Sequence, residues 1–154
     1  MRIALAADHA GAELKADLLA RLRAEQPEHE WLDLGGDGSD SADDYPDRAR
    51  ALGAAIQAGH VDRGILVCGS GVGASVAASK MRGVRAAVCH DAYSARQGVE
   101  HDNLNVLCLG SRVIGVELAL TCARAFLAAS FSGEERHRRR LEKIVAIEVE
   151  EAGP

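Results

Sequence analysis

Several familiar signatures are missing from these 154 residues. The four cysteines, Cys68, Cys89, Cys108 and Cys122, lie far apart and form no CxxC pair. That excludes a disulfide framework or a zinc ribbon and reads them as reduced thiols. No group of His, Cys, Asp and Glu has metal-ligand spacing, so neither a metal nor another cofactor is expected. No segment reaches the roughly 18 continuous apolar residues of a membrane span, and Met1 to Ala6 lacks the apolar core of a signal peptide. The expectation is a cytoplasmic protein with no membrane partner. The formal net charge of −5 argues against a nucleic-acid partner, although Arg136-His137-Arg138-Arg139-Arg140 is a dense basic cluster that needs a local explanation. There is no GxxxxGKS/T loop and no GxGxxG fingerprint, and Ser70 lacks the spacing of a GxSxG elbow. No linker, repeat or low-complexity tract divides the chain, and a single domain over 1–154 is expected.

What the chain does have is a rhythm of short apolar runs alternating with longer Ala/Leu/Arg/Glu segments. This predicts an α/β fold, a Rossmann-like three-layer sandwich around a mainly parallel five-stranded sheet. Strands are predicted near 2–6, 30–34, 63–67, 84–88 and 105–109, and helices near 11–25, 46–58, 72–81, 92–100, 115–129 and 134–150. Residues 35–44 form a polar, acidic, Gly-rich loop. Ligands of open parallel sheets bind beyond the carboxyl ends of the strands. Five polar clusters are assigned to that edge: Asp8-His9, Tyr45, Cys68 to Gly73, His90-Asp91 and His101-Asp102-Asn103.

The most informative of these is Cys68-Gly69-Ser70-Gly71-Val72-Gly73, where a buried strand turns into a helix. Such a turn aims unpaired N–H groups at whatever sits above it and suits a phosphate, a carboxylate or a developing enolate oxygen. Cys68 can be a small buried hydrophobe, as Cys89, Cys108 and Cys122 are expected to be. A helix N-terminus also favours the thiolate of a cysteine placed there, which would make it a base or nucleophile. Ser70 can cap the helix or pass a proton to a substrate oxygen. Asp8 can cap the first helix or, beside His9, accept hydrogen bonds from a ligand. His101 stands in a polar turn, either solvated or functional, while Asp91 is read as a cap and His90 is left out of the site. On a helix Arg136 and Arg140 share one face, either a solvated surface or a two-point grip on a phosphate, and Arg112 is a further candidate.

In order along the chain, Ala7-Asp8-His9-Ala10-Gly11, Asp44-Tyr45-Pro46, Cys68 to Gly73, Lys80, Arg85-Ala86, Tyr93-Ser94-Ala95, His101, Asn105-Val106, Gly110-Ser111-Arg112 and Arg136-His137-Arg140 closely resemble type B ribose-5-phosphate isomerase. The wider family also contains galactose-6-phosphate isomerase subunits and isomerases of tetrulose and allose phosphates. The resemblance implies a cofactor-free aldose–ketose isomerase of the pentose phosphate pathway, acting on ribose 5-phosphate and ribulose 5-phosphate. It implies a homo-oligomer, dimer or tetramer, with sites shared between subunits and the helix at 134–150 packed on a partner.

By that resemblance Cys68 is the base that moves a proton between C1 and C2 through a cis-enediolate. The amides of Gly69, Ser70, Gly71, Val72 and Gly73 hold the enediolate charge, Ser70 serves the substrate oxygens, and His101 opens the furanose ring. Asp8, His9 and Tyr45 contact the substrate, and Arg112, Arg136 and Arg140 bind its phosphate. One branch of the family carries its base as Glu at the position of Ala74, which places this chain in the cysteine branch. Asp102 departs from the pattern, since the ribose enzymes carry Asn there. An ionised carboxylate only accepts hydrogen bonds, so Asp102 bears on which sugar is used. The alternatives are the same chemistry on a tetrose, allose or galactose phosphate, or a sugar-phosphate-binding subunit without turnover.

Overall fold

The computed structural model describes residues 1–151, so the last three of the residues assigned to the domain lie outside the described residues. The elements are β1 (Arg2–Ala7), α1 (Ala12–Glu25), β2 (Glu30–Asp33), α2 (Tyr45–Gln57), β3 (Arg63–Cys68), α3 (Val72–Ala78), β4 (Ala86–Val88), α4 (Ala92–Asp102), β5 (Val106–Gly110), α5 (Val116–Ala128) and α6 (Glu135–Glu151). The strands form one sheet in the order β2-β1-β3-β5-β4. Every pair is parallel, a stricter arrangement than the mainly parallel sheet expected.

Strand alternation divides the core in two. Ile3, Leu5, Ile65, Val67, Leu107 and Leu109 point to one face, where Leu14, Leu18 and Leu22 of α1 meet Val99 of α4 and Leu120 and Phe126 of α5. Ala4, Ala6, Leu66, Cys68, Val106 and Cys108 point to the other, where α2 and α3 pack through Ala49, Leu52, Ala74 and Ala78. Each fully buried Leu or Ile contributes about 1.5–3 kcal/mol, which fixes the register of the inner strands. The second face carries smaller side chains, and Leu52 lies directly over Gly64.

Several boundaries shift by one to three residues from expectation, the helix predicted over 92–100 running on to Asp102, and two of the shifts have a plain cause. The helix predicted over 72–81 ends at Ala78, because the N–H groups of Lys80 and Met81 donate to carbonyls only three residues back, at Ala77 and Ala78. The strand predicted from 84 begins at Ala86, because the Arg85 N–H donates to the side chain of Asn105 at 2.8 Å.

Because α1 and α3 leave neighbouring strands β1 and β3 on opposite faces, the sheet has a switch point there. A crevice opens at such a point beyond the strand ends. The chain joins across it, with the Asp8 N–H donating to the Val67 carbonyl at 3.3 Å. Helix α6 lies outside this core. It packs on α4, and His137 is its buried residue.

Candidate active site

The crevice is a cleft of about 350 Å³ lined by Asp8, His9, Ala10, Tyr45 and Val113, and by Cys68, Gly69, Ser70, Gly73 and Arg112. Cys68 ends β3 with its side chain on the α2/α3 face, and the Gly71 N–H donates to its Sγ at 3.1 Å. That turn requires Gly71 at φ +80°, where its backbone presses against Leu109 and a β-carbon would stand 3.0 Å away. The Val72 N–H is taken by Ser70 Oγ at 3.2 Å, so Ser70 does part of the capping work while its hydroxyl faces the cleft.

Of the five amides assigned to an anion, Gly71 and Val72 are therefore already engaged. The Val72 side chain also points outward, 56% exposed. Among the described residues the N–H groups of Gly69, Ser70 and Gly73 are left without a backbone partner. Arg112 crosses above Gly69 and the Tyr45 ring lies against Gly73, so close that a β-carbon at 73 would stand 2.6 Å from the ring. Bare backbone amides, a thiol and a guanidinium thus face one small volume, an arrangement suited to an anionic intermediate.

Asp8 is not the cap of α1 as one expectation had it, because the N-cap position falls to Gly11, three residues on. It is buried, it accepts the Gly11 N–H at 3.0 Å within the turn that leads into α1, and it lines the cleft. His9 is exposed, with Nδ1 3.2 Å from the Asp43 carbonyl. A carbonyl only accepts, so Nδ1 carries the hydrogen and Nε2 is turned to other partners. The Nε–H of Arg48, shared between the two carboxylate oxygens of Asp43 at 2.8 and 3.0 Å, holds the acidic loop in that position.

The other three thiols are structural. Burial pushes Cys89 up to about 11 and raises Cys108 and Cys122 as well, which keeps them protonated. No group of three or more metal-ligating side chains occurs among the described residues.

His101, Asp102, Arg136 and Arg140 are not in the cleft, a correction to the placement of His101-Asp102-Asn103 at the carboxyl edge. His101 and Asp102 form the last turn of α4, a helix that follows β4 and runs back to the amino edge of the sheet. The six residues of β3 span about 20 Å between those edges. At the amino edge His101 stacks on His137, with ring centroids 4.0 Å apart and planes at 24°. Arg136 pairs with Glu134 at 2.8 Å, Arg140 is exposed, and Asp102 lines a separate groove with Arg85 and Glu148.

Sequence reasoning gave no role to Ser111 or His90. Ser111 Oγ donates to the Ala10 carbonyl at 2.7 Å, and the N–H groups of Ser111 and Arg112 donate to Cys68 and Gly69 at 2.9 and 3.0 Å. These bonds sew the end of β5 to the cysteine loop and aim Arg112. His90 Nε2 accepts the Gly110 N–H at 2.9 Å on the same strand end. Their signal was position after a strand, which does not tell a ligand contact from a brace.

Residues 3–144 match the family described as Ribose/Galactose Isomerase. The chain is 44% identical over 147 residues to ribose-5-phosphate isomerase B of Escherichia coli (strain K12), covering 96% of each. It is 41% identical over 133 residues to D-erythrulose-4-phosphate isomerase of Pectobacterium atrosepticum, covering 86% of each. The crystal structure of ribose-5-phosphate isomerase B from Mycoplasma genitalium with bound ribulose-5-phosphate superposes with a TM-score of 0.88 at 39% identity, covering 97% of both chains.

Proposed function

This chain belongs to the ribose/galactose isomerase family and is an isomerase, and from that premise we propose that it interconverts ribose 5-phosphate and ribulose 5-phosphate with Cys68 as the base. The observation that carries the proposal is the Cys68 sulfur beside the unpartnered amides of Gly69, Ser70 and Gly73, under Arg112. The Cys68 thiolate takes the proton from C2 of the open-chain aldose. Charge develops on O1, where Ser70 and the amides stabilise it. The O2 proton passes to O1 through Ser70, and Cys68 returns its proton to C1, leaving the ketone at C2. Asp8 and Tyr45 orient the hydroxyls, and His9 and Arg112 contact the phosphate. Holding that remote phosphate keeps C1 and C2 fixed against the sulfur.

Ribose 5-phosphate arrives as a furanose, and its opening belongs to His101. The bond from C1 to the ring oxygen breaks, the ring oxygen takes a proton from His101, and the anomeric hydroxyl releases its proton to water. Since the chain's own His101 lies at the far edge of the sheet, a second copy supplies His101, Asp102, Arg136 and Arg140 to this cleft. A homo-oligomer also accounts for α6, whose Ile144, Val145, Ile147 and Val149 are exposed beside a groove of about 970 Å³. The reading places the enzyme in the cytoplasm as a single domain, and none of its steps calls for a metal or cofactor.

The test is conversion of ribose 5-phosphate by the purified chain, with allose 6-phosphate and erythrose 4-phosphate run beside it. The expected result is the highest kcat/KM on ribose 5-phosphate. A higher value on erythrose 4-phosphate moves the assignment to a tetrose phosphate, in line with the Pectobacterium relative, and a higher value on allose 6-phosphate moves it to a hexose phosphate, both being alternatives that Asp102 raises. Binding without turnover of any of them identifies a non-catalytic subunit.

A further inference from the structure

His137 is the buried residue of α6, 1% exposed, and takes no part in the chemistry proposed above. Its Nδ1 lies 2.6 Å from Ser132 Oγ, while its Nε2 is buried without a hydrogen-bond partner among the described residues. A buried polar atom left unpaired works against stability, so hydrogen bonding does not by itself explain a histidine here. Its flat face is in use instead, stacked 4.0 Å from the ring of His101.

The rest of the surroundings serve the same contact. The Ser132 N–H donates to the Glu100 carbonyl at 2.9 Å, which ties the segment before α6 to the last turn of α4, one residue from His101. Ser132 Oγ, which also accepts the Glu134 N–H at 3.2 Å, then fixes the rotation of the His137 ring. On its other side His101 is held by Gln97, whose Nε2 is 2.8 Å from His101 Nδ1. That leaves His101 Nε2 as the nitrogen turned to a substrate.

We propose that His137 is a positioning residue for ring opening, a plate pinned by Ser132 that sets the plane of His101 and so the direction of its Nε2. The proposal rests on the assignment of His101 as the ring-opening acid. Burial, and then the nearness of His101 and of Arg136, push the proton affinity of His137 down, which favours its neutral ring. The other ionic groups facing it are Glu134 from the preceding segment and Arg140 from α6. The contact is one of stacked flat rings, which makes a phenyl ring a fair substitute for the plate.

Ribulose 5-phosphate separates ring opening from proton transfer. Its O5 carries the phosphate, so it cannot close to a furanose, and exchange of its C1 hydrogen with solvent deuterium reports enediolate chemistry alone. The experiment measures that exchange and the conversion of ribose 5-phosphate for the parent chain, His137→Ala, His137→Phe and His101→Asn. His137→Ala is expected to slow conversion about tenfold or more, as a small misplacement of a catalytic group does, with exchange within about twofold of the parent. His137→Phe is expected to keep conversion within about threefold, because the plate remains. Preserved exchange also shows that a variant is folded. Equal losses of conversion and exchange would mean that His137 acts only through the fold, and unchanged conversion in His137→Ala would overturn the proposal outright. His101→Asn stands as the reference. If it leaves conversion intact, the role given to His101 has failed, and a parent chain that neither converts nor exchanges removes the functional reading and this inference together.

Discussion

At the scale of single residues the site turns on one sulfur. All four thiols are buried, and Cys68 is set apart from the other three by place, since it alone lines the cleft and receives the Gly71 N–H. Cys68→Ala is expected to lower kcat by about 10²- to 10⁴-fold, the usual worth of a general base, while ribose 5-phosphate still binds through Arg112 and His9. Calorimetric titration of the variant checks this, and undiminished turnover would remove Cys68 from the mechanism. The residue types at the turn were legible in the sequence, because a strand running into Cys-Gly-Ser-Gly leaves few structural options. Which amides stay open was not legible. Gly71 and Val72 spend theirs on Sγ and Ser70 Oγ, a matter of turn geometry.

At the scale of elements, α1 and β2 are joined by Lys15, a buried ammonium 2.5 Å from Asp33 that also donates to the Gly35 carbonyl at 3.2 Å. Desolvation acts to raise the Asp33 carboxyl, but the Lys15 contact and the Gly35 N–H outweigh it and hold it below the usual range. A carboxyl lowered on folding adds stability that is present above its unfolded pKa, near 4, and lost as pH falls through the lower folded value. Asp33→Asn should therefore cost about 1–2 kcal/mol at pH 7, less than a fully buried pair because the Asp33 side chain is 45% exposed. The gap between parent and variant should narrow below about pH 4, as read from urea unfolding midpoints across the acid range. A gap that does not change with pH would assign the effect to packing.

Helix α4 shows how element direction overrides a sequence reading. Asp91 caps its start as expected, accepting the Ser94 N–H at 2.7 Å. His101 at its end then falls at the opposite edge of the sheet from Cys68. In a parallel sheet each helix returns the chain to the amino edge, so residues just before a strand never share an edge with residues just after one.

At the scale of the whole molecule, the cleft of one chain holds the proposed base and the proposed anion-binding backbone, while the proposed acid and two arginines are presented elsewhere on its surface. The proposed homo-oligomer joins them. Mixing Cys68→Ala and His101→Asn subunits by joint refolding should restore about one quarter of the parent activity in a twofold dimer, because each hybrid assembles one intact site from two defective chains. Assays of the mixture against each variant alone check it. Hybrids with no recovered activity would place His101 and Cys68 in sites made by one chain.

The sequence by itself determined the order of elements, the alternation that splits the core between two faces, and the chemistry available at the turn after β3. Those follow from local pattern: apolar period, strand-to-helix turns and the family motifs. Tertiary structure alone decided that α1 and α3 diverge at the β1/β3 switch point to open the cleft, that Ser111 aims Arg112, and that His101 stacks on His137 away from Cys68. The reason is physical. Residues far apart in the chain meet through strand order and helix direction, and neither is encoded in the spacing of any one motif.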